Sequence, residues 1–221
     1  MDSVFGENHI ICYQMIPLFI DCTGRRVVIF GGGEVAARKA AYFSGEAEVI
    51  VVSRSFVPAF DDLSITRQDL DLVTASGRNL ATVLTGAFLV IAAVDDPVIN
   101  NRIGKLCRVT GILFNNANGV TGDVIMPAIA RGENYIIAVS TGGNSPAVSR
   151  YIREKIEETF PGLDDMIAIQ IRLREVLRAQ EPDQKKRRDI ITRVLHDPMV
   201  WAGIEAGRPD IWEDIRTRYL T

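Results

Sequence analysis

The string Gly31-Gly32-Gly33-Glu34-Val35-Ala36 follows directly on Arg26 to Phe30, which is mostly β-branched and apolar. Spaced as Gly31-x-Gly33-x-x-Ala36, it fits the strand–turn–helix that holds a dinucleotide pyrophosphate. The first glycine allows the tight turn, and the second lets backbone approach phosphate. The small third residue lets helix pack on strand. Glu34 and Val35 open the expected helix, so their backbone N–H groups would face the pyrophosphate at its positive end. Ser53-Arg54-Ser55 ends the next expected strand, where the adenosine ribose lies in such folds. An acid there would favour NAD through the ribose 2′-OH; none is present, and Arg54 is suited to a 2′-phosphate, so these residues leave NADP open. Asp95 follows the apolar run Phe88–Ala93, at the expected carboxyl edge of a sheet. It either lines the cofactor site or caps the next helix. Gly142-Gly143-Asn144-Ser145-Pro146 offers a second anion site, with flexible backbone leading into a helix N-terminus. Arg150 and Arg153 lie on that helix, and their guanidinium forks suit carboxylates. The alternative is an ordinary capped helix with a solvated basic face.

The elements that must position these residues alternate strand and helix. Val27–Phe30 and Val49–Val52 read as strands with helix Glu34–Ser44 between them. Leu63–Arg67 reads as a short third strand and Asn79–Thr85 as a helix. Phe88–Ala93 has the continuous apolar character of a strand buried on both faces. Asp95-Asp96-Pro97 opens a helix to about Arg108, and Gly111–Asn115 is the next strand. This rhythm predicts an α/β Rossmann-type doubly wound parallel sheet. After it, Val124–Ala130 and Tyr135–Ser140 read as a hairpin, which is marginal alone in water and calls for a partner. From Ser145 onward the chain reads as helix, with breaks at Pro161-Gly162 and Gly207–Pro209. The expected organisation is a dinucleotide domain at 1–115, a small α+β dimerisation and substrate-cleft segment at 116–150, and a helical C-terminal domain at 151–221.

The chain resembles the siroheme-synthase dehydrogenase family: precorrin-2 dehydrogenases, some of them also sirohydrochlorin ferrochelatases. The matching pieces are Pro17-Leu-Phe19, the run from Gly24 to Lys39, Ala92-Ala-Val-Asp-Asp-Pro-Val-Ile-Asn100, Ile125-Met-Pro-Ala128, Ala138 to Arg150, and Ile152-Arg-Glu-Lys155. The Ser-Thr-Gly-Gly-x-Ser-Pro string after a hairpin is much more specific than the glycine fingerprint. The resemblance implies NAD as oxidant and a tetrapyrrole substrate with eight carboxylates, bound in a homodimer cleft. The reaction implied is dehydrogenation of precorrin-2 to sirohydrochlorin, with Fe2+ insertion as a second activity in some members. It also implies an aspartate in a pattern like Asn-Val-x-Asp after the last Rossmann strand. This chain has Asn115-Asn-Ala-Asn118 instead, and an amide cannot accept a proton. Three readings stay open: Asp123 supplies the carboxylate, Asn118 orients substrate by hydrogen bonding, or dehydrogenation is weak and the protein does something related, such as metal insertion or the binding of nucleotide or tetrapyrrole without turnover.

Composition sets the outer limits. The 221 residues carry a net charge of −3, with 47% hydrophobic and 24% charged residues, ordinary for a globular protein. An acidic chain argues against general nucleic-acid affinity. Cys12, Cys22 and Cys107 show no ligand spacing, and a sparse odd set suits a reducing cytoplasm. His9 and His196 sit in no metal motif, so no resident metal is expected. Lys185 to Arg188 reads as a solvated basic face. No segment reaches the roughly twenty apolar residues of a membrane span, and Met1–Gln14 lacks the basic start of a signal peptide.

Overall fold

The structure, a computed structural model, describes residues 15–119 and 122–220; His9, Cys12 and the reading of Met1–Gln14 lie outside them. The chain divides into two compact units, Met1–Met126 and Pro127–Thr221.

In the first unit β1 (Arg26–Phe30), β2 (Glu48–Ser53), β3 (Thr66–Asp69), β4 (Ala87–Ala92) and β5 (Leu113–Asn116) form one parallel sheet in the order β3-β2-β1-β4-β5. Alternate residues divide between its faces. Val27, Ile29, Val51 and Ile91 pack with Ala36, Ala40 and Phe43 of α1 (Glu34–Phe43). Val28, Phe30, Val90 and Ala92 pack with Leu80 and Leu84 of α2 (Gly77–Leu84) and with Ile99, Ile103 and Cys107 of α3 (Pro97–Thr110). Both faces are therefore covered, which is why the strands read as unbroken apolar runs. The strand order reverses between β1 and β4, so a crevice for ligands opens there, outside the carboxyl ends.

Local chemistry sets the ends of the helices. Ser76 and Asn79 form a capping box on α2. Asp96 caps α3 by accepting from the Val98 N–H at 2.7 Å. Gly111 closes α3 in the left-handed conformation, φ 72°, where glycine carries no steric cost.

Two strands differ from expectation. Leu63 and Ile65 are apolar because they pack against the α1-side core on the approach to β3; the strand itself is Thr66-Arg67-Gln68-Asp69, exposed throughout. Val124 and Met126 likewise belong to that core. Residues 122–124 return along the outer side of β5, with the Asp123 and Val124 N–H groups donating to the Phe114 carbonyl at 2.8 and 3.1 Å. The hairpin therefore starts later than its apolar sequence implied.

In the second unit β6 (Ala128–Arg131) and β7 (Ile136–Val139) pair antiparallel, and α4 (Pro146–Thr159) packs on both. The Asp164 carboxylate, in the first turn of α5 (Leu163–Gln180), accepts from the Glu133 and Asn134 N–H groups at 3.1 and 2.8 Å, tying the hairpin turn to that helix. α5, α6 (Gln184–Leu195), α7 (Pro198–Glu205) and α8 (Ile211–Tyr219) enclose Met166, Leu173, Leu177, Val194, Val200 and Ile215.

Buried Asp197 locks this bundle. Its Oδ1 accepts from the Met199 N–H at 2.8 Å; its Oδ2 accepts from the Tyr219 hydroxyl at 2.7 Å and from Arg218 at 2.8 Å. The Tyr219 hydrogen bond, with smaller help from Met199 and Arg218, outweighs burial and holds the carboxyl below its ordinary range. A carboxyl depressed in the folded state stabilises above its unfolded value, near pH 4, and loses that contribution as pH falls through the folded value. Asp197→Asn is expected to lower the unfolding free energy by about 2 kcal/mol at neutral pH. The gap from wild type should close during acid titration of the melting curve below about pH 4. A gap unchanged down to full protonation would refute the assignment.

Candidate functional site

The glycine turn leaves β1 at the sheet's carboxyl edge. Gly31 has φ 122°, and a Cβ there would overlap the Ala93 carbonyl of the neighbouring strand end. Its N–H donates to the Val52 carbonyl at 3.0 Å. The middle glycine is the most crowded: a Cβ on Gly32 would overlap the Ser55 carbonyl and stand 2.8 Å from Ser53 Oγ. The loop after β2 lies on the turn, with the Val57 N–H donating to the Gly32 carbonyl at 2.9 Å. Gly33 is the opposite case. Its Cβ position faces open space, and as N-cap of α1 it supplies no side-chain hydrogen bond. The first N–H groups of α1, including those of Glu34 and Val35, therefore have no capping side chain. A helix start with free donors and an open approach over Gly33 fits a pyrophosphate.

Ser53 and Ser55 stand beside this turn, with Arg54 between them. Arg54 Nη1 lies 3.4 Å from Asp71 Oδ2, just beyond the end of β3.

At the β4 end, Ala93 continues the ladder by donating to the Phe30 carbonyl at 2.8 Å. The Val94 carbonyl accepts from buried Asn100 Nδ2 at 2.7 Å and from Asn118 Nδ2 at 2.8 Å. Asn118 thus performs a task that a carboxylate could not, because it donates to a carbonyl. Asp95 comes next, exposed at the carboxyl edge. Capping of α3 falls to Asp96 rather than Asp95, which removes one of the two roles open to Asp95. Asp123 lies elsewhere. Its N–H meets Phe114, two residues short of the β5 end. Its carboxylate acts on Cys107, whose thiol burial first, and Asp123 second, push up to about 12. The structure brings Gly31, Gly33, Asp95 and Asn118 to one edge, while Asp123 is tied through its N–H to Phe114, inside β5.

The second anion site takes a different form from the one expected. Gly142 and Gly143 do adopt positive φ, 66° and 87°, and Asn144 Nδ2 donates to the Thr141 carbonyl at 2.9 Å. Ser145, however, caps α4 itself by accepting from the Val148 N–H at 3.3 Å, while Thr141 Oγ1 accepts from the Ser145 N–H at 2.9 Å. Arg150 is bound to Glu154 at 2.8 Å, and Arg153 to Glu154 and Glu157 at 2.9 and 2.6 Å. Arg150 meets Glu154 through Nε, and its side chain is 75% exposed. Both arginines are therefore paired on the helix surface at close spacing.

Among the described residues no three His, Cys, Asp or Glu side chains converge as a metal site, and no helix is long and apolar enough to cross a membrane.

Sheet order, switch point and glycine turn define a Rossmann-type protein with a dinucleotide site. Comparisons agree: residues 18–128 match the family described as "Putative NAD(P)-binding" and residues 137–159 the family described as "Sirohaem biosynthesis protein central". The Precorrin-2 dehydrogenase of Methanosarcina barkeri is 40% identical over 195 residues, covering 86% of this chain and 87% of that protein. The Siroheme synthase of Ectopseudomonas mendocina is 34% identical over 200 residues, and there the match spans 42% of the relative's length. The solved structure of SirC, precorrin-2 dehydrogenase, superposes with a TM-score of 0.69 over 92% of this chain and all of that one; at 18% identity this is a likeness of fold. The chain belongs to the precorrin-2 dehydrogenase family.

Proposed function

We propose that this protein oxidises precorrin-2 to sirohydrochlorin in siroheme biosynthesis, with NAD leaving as NADH and one proton released. The observation that carries the redox half is the glycine turn, crowded at Gly31 and Gly32 and open over Gly33. The Methanosarcina relative's name supplies the substrate. When bound, NAD is the hydride acceptor. The chain's own residues do the rest. Gly31 to Val35 hold the pyrophosphate through backbone N–H groups, and Ser53–Ser55 border the adenosine ribose. Asp95 is the carboxylate at the same edge and receives the substrate proton. Asn118 and Asn100 position it by fixing the Val94 carbonyl immediately before it.

The reading extends to assembly and place. The two-stranded β6–β7 sheet and exposed Ile136, Val148 and Tyr151 support a homodimer built on segment 116–150. A solution mass near twice 24.4 kDa is the expected result, and a monomer would refute it. Free Cys22 and Cys107 support a cytoplasmic setting.

The deciding assay mixes purified protein, precorrin-2 and NAD and follows sirohydrochlorin absorbance. Turnover is expected. Its absence, with NAD still bound, would overturn the dehydrogenase reading in favour of a nucleotide- or tetrapyrrole-binding partner, the role that Asn118 in place of aspartate would suit.

A further inference from the structure

We propose that Asp71 sets the dinucleotide preference of this site, neutralising Arg54 and presenting its own carboxylate to the adenosine 2′-OH, so that NAD is taken and NADP rejected. The inference rests on the glycine turn being a dinucleotide site.

In folds of this kind the acid that reads the ribose stands at the end of the second strand. Here that position is Ser53-Arg54-Ser55, which by composition favours a 2′-phosphate. The geometry reverses that preference. β2 and β3 run parallel with Ser53 opposite Asp69, and the Leu70 N–H still reaches the Ser53 carbonyl at 3.4 Å. Arg54 and Asp71 therefore emerge side by side past the two strand ends, and Arg54 Nη1 meets Asp71 Oδ2 at 3.4 Å. The pair sits at the cofactor turn, because Gly32 is packed against Ser53 Oγ and the Ser55 carbonyl on either side of Arg54.

Asp71 is held in place on its other side. Its Oδ1 accepts from the Val73 N–H at 2.9 Å, and its carbonyl accepts from the Ala75 N–H at 2.9 Å. Arg102 of α3 donates to the Leu72 carbonyl at 2.7 Å and fixes the loop from beneath. Arg54 is the more exposed partner, with 68% of its side chain exposed, against 30% for Asp71. A ribose 2′-OH can donate to this fixed carboxylate. A 2′-phosphate would meet its negative charge and would have to compete with it for Arg54.

Calorimetric titration of the full chain with NAD and with NADP tests this without turnover. Wild type should bind NAD at least about tenfold more tightly, and Asp71→Asn should narrow that ratio by about tenfold, mostly through tighter NADP binding. Adding Arg54→Gln to Asp71→Asn should remove the NADP gain. If Asp71→Asn does not fold, Arg54→Gln alone decides: the NAD preference should stay or widen, and a fall in it overturns the proposal. A wild type that prefers NADP, or a folded Asp71→Asn whose ratio moves less than about twofold, also overturns it. Failure of wild type to bind either nucleotide removes this inference together with the dinucleotide reading. A ratio that shifts as stated in a protein with no precorrin-2 turnover leaves this inference standing while the proposed reaction falls.

Discussion

Gly32→Ala is expected to cost about 3 kcal/mol of stability and to abolish measurable NAD binding, because the added methyl meets backbone with no rotamer to escape into. The obstacle is the Ser55 carbonyl, backed by Ser53 Oγ. Moving it would disturb the Val57 N–H bond to the Gly32 carbonyl, which holds the post-β2 loop on the turn. Gly33→Ala is the control. Its Cβ position is open and its φ of −90° suits any residue, so its stability should stay within about 1 kcal/mol of wild type. The methyl would still project into the space a phosphate needs, and NAD binding should weaken. Thermal melts paired with NAD titration separate the two effects. Equal melting temperatures for Gly32→Ala and wild type would show that the contact is not rigid.

Asp95→Asn is expected to lower kcat by about a hundredfold or more, the usual contribution of a positioned proton acceptor, with NAD affinity nearly unchanged. Asp123→Asn should leave kcat within about threefold, since its N–H is tied to the Phe114 carbonyl, inside β5 rather than past its end. Asn118→Ala removes one of two donors to the Val94 carbonyl and should cost about tenfold or less, the worth of one neutral hydrogen bond. Asn118→Asp is the sharper probe. It restores a carboxylate where the family resemblance expects one, but sets it against a carbonyl oxygen that Asn118 now satisfies. A kcat gain in Asn118→Asp, with Asp95→Asn fully active, would return the proton to the loop after β5 and sink the role given to Asp95.

How far the site could be read from the sequence depended on whether the signal was local. The Gly31/Gly33 fingerprint and the apolar strands are local backbone and burial patterns, and the sheet forms around them. The role of Gly32 was not legible, because the carbonyl that crowds it belongs to Ser55, beyond the next strand. Asp71 was missed for a related reason. Thr66 to Asp69 is a polar edge strand with no alternating pattern, so the apolar residues before it carry the strand signal and nothing in the sequence marks the acid two residues past its end. Arg150 and Arg153 are different: Glu154 and Glu157 stand at pairing distance in the sequence itself. Their i,i+4 spacing makes these ion pairs legible from the sequence alone. Asn118 was singled out for what it lacks, while its donation to Val94 depends on the chain turning back over β4, which only the fold reveals.

The two outer strands of the parallel sheet have a consequence for the protein's behaviour when concentrated. A bare strand edge is a template on which another chain can add a strand, the first step toward aggregates. Here β3 is four residues long, and its exposed face carries Arg67 and Asp69, with Arg67 bound to Asp61 at 3.0 Å. On the far side, residues 122–124 already occupy the Phe114 carbonyl, and Asn115 Nδ2 donates to the Val124 carbonyl at 2.7 Å. One flank is short and charged, and the other is sealed by the chain's own return. The sheet therefore resists growth by strand addition in either direction, so a protein made in quantity around five parallel strands keeps that sheet to itself.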